Sequence, residues 1–137
     1  MDKIFFEELG LKPVMINLNV GSGTHGEVTG KSIIGMEKFL QEEKPDVVLV
    51  EGDTNTVLAG ALTSIKLNIP VGHVEAGLRS FDRRLQEEYN RIITDHVSDY
   101  LFAPTELAKN NLIAEGIGRR EIQYYNKKFT PQIFQTG

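Results

Sequence analysis

An α/β domain on a doubly wound, Rossmann-like parallel sheet with helices on both faces is the fold this sequence predicts. Three observations carry the prediction. Short apolar runs alternate with stretches of helical period along the 137 residues. Residues 47–50 are apolar at every position, as a strand covered on both faces is. Two such runs end in carboxylates: Val-Val-Leu-Val-Glu-Gly-Asp-Thr at 47–54 and Pro-Val-Gly-His-Val-Glu-Ala-Gly-Leu-Arg at 70–79. Open α/β sheets bind ligands in the crevice beyond the carboxyl edge of their strands. Asp53 and Glu75 are therefore expected to reach one crevice from consecutive strands.

The elements follow in order. Residues 2–9 read as a helix stopped by Gly10, and 14–20 as a mixed strand leading into the glycine-rich loop 21–26. A helix over 28–43 carries Ile33, Met36 and Leu40 on one face and is closed by Pro45. After the strand at 47–50, a helix over 54–67 shows an apolar stripe of Val57, Leu58, Ala61, Leu62 and Ile65 at helical period. Ala59-Gly60-Ala61 lets that helix lie close to the sheet. A strand over 69–75 and a charged loop over 76–85 precede a helix over 86–98, with Tyr89, Ile92, Ile93, His96 and Val97 on one face. A strand over 100–103 ends at Pro104, and Thr105 caps a last helix that stops at Gly116. Such succession implies a parallel, helix-covered sheet. The predicted domain runs over 1–118 and lacks the strand with which a doubly wound domain begins, leaving an edge prone to self-association. Residues 119–137 read as an irregular tail, and both ends read as cut.

Composition sets the class. A length of 137 residues suits one domain, and 40% apolar with 25% charged residues is ordinary for a globular protein. A net charge of −4 argues against a nucleic-acid or membrane surface, although Arg83-Arg84, Arg119-Arg120 and Lys127-Lys128 are local basic clusters fit for a phosphate. The absence of cysteine excludes disulfides and thiolate metal sites. No apolar run approaches a membrane span and the first residues do not open a signal peptide, so the expected location is the cytoplasm.

Several motifs invite chemistry. Gly21-Ser22-Gly23-Thr24-His25-Gly26 satisfies the dinucleotide fingerprint G-x-G-x-x-G. Its preceding strand is half polar, however, and the acids Glu51 and Asp53 lie beyond the expected spacing. Gly26 to Ser32 imitates the end of a P-loop with one residue too few between its glycines, which leaves Lys31 a solvated helix residue. His25, His73 and His96 have no metal-ligand spacing, so no metal is expected. His96 falls on an apolar helix face and reads as a satisfied core or interface residue. His73 and Glu75 share one side of their strand and read as a hydrogen-bonding pair. Glu87 and Glu88 open a helix, where acids complement the macrodipole, and Glu87 is spaced to pair with Arg91. Three classes stay open on these residues: an acid–base enzyme, a dinucleotide-binding oxidoreductase module, and a non-catalytic interaction fragment using helix 86–98.

Four motifs in order carry a resemblance: Val-Glu-Gly-Asp-Thr-Asn-Thr (50–56), Gly-His-Val-Glu-Ala-Gly-Leu-Arg (72–79), Glu-Glu-x-Asn-Arg (87–91) and Phe-Ala-Pro-Thr-Glu (102–106). From Phe5 to about Ile117 the chain resembles the non-hydrolysing UDP-N-acetylglucosamine 2-epimerases. The resemblance implies the amino-terminal half of a GT-B-like, two-domain, homodimeric cytoplasmic enzyme that needs no cofactor. It interconverts UDP-N-acetylglucosamine and UDP-N-acetylmannosamine for envelope and capsule polysaccharides by eliminating and re-adding UDP. It further implies catalytic roles at Asp53, Glu75 and Glu87, and contact with the UDP-sugar at His73, Arg79, Thr54, Glu88 and Arg91. Departures are Gln86 where the family has proline, Ser22-Gly23 where some members carry a regulatory Arg-Gln pair, and an insertion-like stretch at 123–132. The family's opening strand with its basic loop, and its uridine-binding second domain, are expected outside the chain. Residues 133–137 resemble the strand that leads to the interdomain hinge.

Overall fold

The computed structural model describes residues 20–118 and 120–124. The predicted helix at 2–9, nearly all of the strand at 14–20, and the stretch beyond 124 lie outside the described residues.

Threonine caps set the helix starts. Thr24 Oγ1 accepts the Glu27 N–H at 3.2 Å, opening α1 (His25–Glu43). The helix thus starts three residues earlier than its apolar pattern suggests, and Gly26 becomes part of its first turn. The glycine loop is spent on a helix cap, not on a phosphate cradle. Left-handed Lys44 (φ 47°) ends α1. Strand β1 (Val48–Glu51) leads to Thr54, whose hydroxyl accepts the Val57 N–H at 3.2 Å and caps α2 (Asn55–Lys66). Then come β2 (Val71–Val74), α3 (Gln86–Val97), β3 (Tyr100–Ala103) and α4 (Glu106–Ala114), the last capped by Thr105. Strand β4 (Glu121–Tyr124) closes the order.

The four strands are parallel in the order β1-β2-β3-β4. Register puts Val50, His73, Leu101 and Ile122 in one row, with Val48 and Val71 on the same face. That face meets the helices. Val57, Ala61 and Ile65 of α2 pack on Val48, Val50 and Val71 together with Val97 of α3. Ala108 and Leu112 of α4 pack on Leu101, Ala103 and Ala76. A Cβ at Gly60 would stand 3.2 Å from Val50, so glycine does permit α2 its close approach.

The Rossmann-like parallel sheet is as expected: residues of α2, α3 and α4 pack on the face of Val50 and Leu101, and Leu49, Gly72 and Tyr100 lie on the opposite face. One expectation is corrected, because the sheet continues into the stretch read as an irregular tail. Strand β4 is marginal in sequence because Ile122 is its one aliphatic residue; Ile122 packs against the core.

Candidate active site

Beyond the carboxyl end of β1 the chain turns through Gly52 (φ 95°), whose N–H donates to Val74 O at 3.3 Å. That turn delivers Asp53 to the mouth of a hollow of about 230 Å³. Thr54 and Asn55 at the start of α2 form one wall, and Gln86, Glu87 and Asn90 of α3 form the other. His25, the first residue of α1, completes the rim. A larger recess of about 360 Å³ between α1, β1 and α2 has an apolar lining that includes Met36, Phe39 and Val57, and it holds no acid. The chemistry therefore belongs to the smaller hollow.

Hydrogen bonds fix the hollow's floor. Asn90 Nδ2 donates to Asp53 O at 2.9 Å and to Asn55 Oδ1 at 3.1 Å. Asn55 Nδ2 in turn donates to His25 Nδ1 at 2.9 Å, so a neutral His25 carries its proton on Nε2. Asp53 Oδ2 accepts from Arg91 at 2.6 Å. Glu87 is exposed and has no ion-pair partner among the described residues.

Of the three acids singled out in sequence, Asp53 and Glu87 line this hollow and Glu75 does not. Glu75 sits half-buried just past β2, in the left-handed region at φ 71°. A long side chain there is strained, and such strain persists only where its neighbours are tied down. They are: Ala76 N donates to Phe102 O at 3.1 Å and Gly77 N to Asp95 Oδ2 at 3.0 Å. A Cβ on Gly77 (φ 83°) would run into the Ala108 carbonyl.

The supporting residues are placed differently from the sequence expectation. Thr54 caps α2 and also lines the hollow. Glu88 is 1% exposed and faces away from solvent. Its carboxylate accepts from Ser80 N at 3.0 Å, from Ser80 Oγ at 3.1 Å and from Phe81 N, and so staples the 76–85 loop to α3. Burial alone would raise the Glu88 pKa, but these donors and Arg91 outweigh it and the net shift is downward. The expected Glu87–Arg91 pair is absent: Arg91 bridges Asp53 and the inward-facing Glu88, the latter at 3.4 Å.

His73 and Arg79 lie beneath the site, in a buried polar network. His73, fully buried, bonds Asp95 Oδ1 through Nδ1 at 2.5 Å and donates from Nε2 to Gly52 O at 2.8 Å. Its expected pairing with Glu75 gives way to Asp95, since His73 points to the helix side of the sheet. Arg79 has a 1% exposed side chain and makes a two-pronged contact with Glu115 at 2.8 and 2.9 Å and another with Asp95 at 2.8 Å. Burial works to lower the Arg79 pKa, but Glu115 and Asp95 override it and the shift is upward. His96 is 42% exposed and bonded to Glu115 at 3.0 Å, rather than sitting in this chain's core. Of the basic clusters, Arg83 stacks over Tyr89, Arg84 pairs with Asp82, and Arg120 donates to the Ser98 carbonyl beyond α3, while Arg119, Lys127 and Lys128 lie outside the described residues.

Sequence reasoning missed His25, Asn55 and Asn90 as lining residues. Asn55 and Asn90 fall inside the motifs at 50–56 and 87–91, and an asparagine on the inward side of an amphipathic helix was the available signal for Asn90. His25 had none, because its spacing to the other histidines is unrelated to the hollow.

Comparison with known proteins gives the family. The family described as UDP-N-acetylglucosamine 2-epimerase matches residues 1–128. A UDP-N-acetylglucosamine 2-epimerase of Methanocaldococcus jannaschii is 69% identical over 122 residues, covering 89% of this chain and 33% of that protein. The UDP-2,3-diacetamido-2,3-dideoxy-D-glucuronate 2-epimerase of Pseudomonas aeruginosa is 50% identical over 126 residues, covering 92% of this chain and 36% of that protein. A crystal structure of the Methanocaldococcus jannaschii enzyme in complex with UDP-GlcNAc and UDP superposes with a TM-score of 0.83 at 67% identity, over 90% of this chain and 34% of that one. The chain thus spans about a third of the length of these relatives. It belongs to the UDP-N-acetylglucosamine 2-epimerase family.

Proposed function

We propose that this chain supplies one wall of the active site of a UDP-N-acetylglucosamine 2-epimerase, an isomerase. The observation that carries the reading is the meeting of Asp53 and Glu87, from different elements, around one sugar-sized hollow at the carboxyl edge of a parallel sheet. Inversion at C2 requires a base to take the C2 proton while the C1–oxygen bond to UDP breaks, and the C–H electrons become the C1–C2 double bond of a 2-acetamidoglucal. A proton then returns to C2 on the opposite face as a UDP oxygen re-forms the bond to C1. Two carboxyl groups in different surroundings suit such work. Asp53 is held by Arg91 and a rigid asparagine floor, whereas Glu87 stands free at the rim. Glu75, in a strained conformation just past the next strand, is the third acid, and we assign it to substrate that extends beyond the described hollow.

His73, Arg79 and Glu88 serve the site by holding its loops, and Thr54, Asn90 and His25 are the polar groups set to face the sugar. The 69% identity to an epimerase of the N-acetylglucosamine type favours that UDP-sugar over the diacetamido-glucuronate used by the 50% identical relative. A homodimer in the cytoplasm, making precursors for surface polysaccharides, is the setting we propose. No helix among the described residues is long and apolar enough to cross a membrane.

The test is a chimera in which this chain's 122 matched residues replace the corresponding third of the Methanocaldococcus jannaschii relative. It should convert UDP-N-acetylglucosamine to UDP-N-acetylmannosamine, followed by proton NMR of the anomeric signals. A folded chimera that binds UDP and produces no epimer would overturn the reading.

A further inference from the structure

We infer that Asp95 is a positioning residue for this reaction, a step that rests on the epimerase reading above: through His73 and Gly77 it sets the two loops that carry Asp53 and Glu75. Asp95 lies in the last turn of α3, is fully buried, and touches neither the hollow nor any acid in it. Its two oxygens take three donors. Oδ1 meets His73 Nδ1 at 2.5 Å, while Oδ2 accepts Gly77 N at 3.0 Å and Arg79 Nη1 at 2.8 Å.

Each contact leads to a catalytic loop. His73 passes the constraint to Gly52 O at 2.8 Å, the residue directly before Asp53. Both ring nitrogens are engaged by oxygen atoms, so the ring is held in one orientation from both sides. Gly77 N lies two residues after Glu75, and with Ala76 N on Phe102 O it locks the strained turn that aims Glu75. The same helix carries Glu87, Asn90 and Arg91. One carboxylate therefore ties the strand end of β1, the turn after β2 and helix α3 into a single frame. A buried charge held for structure alone is poor stability value compared with apolar packing. Three directed bonds into two loops indicate registration of the acids instead.

Four variants of the chimera test this: Asp95→Asn, Glu115→Gln, His73→Asn and His73→Gln. Glu115 shares the network through Arg79 and His96 but bonds neither loop's acid-bearing turn. Asp95→Asn keeps size but removes the charge between His73 and Arg79; an amide nitrogen on the Oδ2 side faces two donors, Gly77 N and Arg79 Nη1, and one on the Oδ1 side has only the lone pair of Nδ1 to meet. It should lower kcat roughly 10- to 100-fold, the scale of a small misplacement of reacting groups, with KM changed by no more than about twofold. Glu115→Gln should lower Tm and leave kcat within about twofold. Equal kcat losses in the two variants, or a loss expressed in KM, would overturn the inference. Should Asp95→Asn not fold, the histidine pair decides. A glutamine amide can reach Gly52 O as Nε2 does, whereas an asparagine amide mimics only Nδ1, so His73→Gln should retain more kcat than His73→Asn, and equal values would overturn it. An inactive parent chimera would instead remove the epimerase reading. Amide exchange then decides for Asp95: Asp95→Asn (or His73→Asn in its place) should speed exchange at Gly52 while α1 is unchanged, and a uniform change would refute the positioning role.

Discussion

Glu88→Gln separates a residue that holds the site from one that touches substrate. Glu88 is buried and its carboxylate takes Ser80 N, Ser80 Oγ, Phe81 N and Arg91 Nε. The amide keeps one oxygen and turns the other acceptor into a donor. Ser80 N reaches both oxygens, so an amide nitrogen at Oε2 strands Phe81 N and one at Oε1 strands Arg91 Nε; either orientation leaves one donor without its partner. An unsatisfied buried donor costs about 1–3 kcal/mol, and Arg91 loses one of two anions, so the total approaches the roughly 3–5 kcal/mol of a broken buried ion pair. For a domain of this size that lowers Tm by roughly 10–20 °C. Thermal unfolding of wild type and variant by circular dichroism reads the shift, and KM for the UDP-sugar should stay within about twofold in the chimera. The sign of the pH effect follows from the lowered pKa. Glu88 contributes stability that is complete above its ordinary value of 4.5 and is lost as pH falls through the depressed folded value. The wild-type Tm should therefore fall on acidification below about 4.5, and the variant's slope should be shallower. Some slope remains, because Glu115 is shifted downward too, with Arg79 and His96 overcoming burial. A Tm change under about 2 °C with a raised KM would refute the staple and return Glu88 to the substrate.

Gly77→Ala combines a left-handed backbone with a clash against the Ala108 carbonyl; it should cost about 2–4 kcal/mol, read by urea unfolding. Asn90→Ala removes the floor under Asp53 and the bond that orders Asn55 and His25. It should lower kcat/KM roughly 10-fold or more in the chimera, checked by steady-state kinetics; an unchanged value would mean that the hollow needs no such floor. The isolated chain should bind UDP weakly and not turn over the UDP-sugar, because no lysine or arginine lines the hollow among the described residues. Coupled detection of UDP-N-acetylmannosamine from the purified chain would contradict this.

Much of the framework was legible because its signals are local. Apolar runs such as 47–50 mark buried strands, and threonines at 54 and 105 mark helix starts by the reach of one hydroxyl. The alternation of elements was enough to give parallel order. What escaped was long-range. Nothing near His73 in sequence shows that its partners are Asp95 and Gly52, 22 and 21 residues away. Period-2 reasoning put His73 beside Glu75, but the turn to positive φ after Val74 takes Glu75 out of the strand's pattern. Arg91 could pair with Glu87 or Glu88 by helical spacing; only the packing of the 76–85 loop decides that Glu88 faces inward. The family resemblance put Arg79 in contact with the UDP-sugar, whereas Glu115 and Asp95, both distant in sequence, occupy its donors.

The most direct measurement runs the chimera in deuterium oxide and follows C2 of the sugar by NMR, for the parent enzyme and for Asp53→Asn and Glu87→Gln. Proton removal and return by groups in this hollow predicts one deuterium at C2 of the epimer, with kcat in each variant down roughly 10²–10⁴-fold. Epimer formed without deuterium, or variants as fast as the parent, would contradict the assignment of acid–base chemistry to the wall this chain builds.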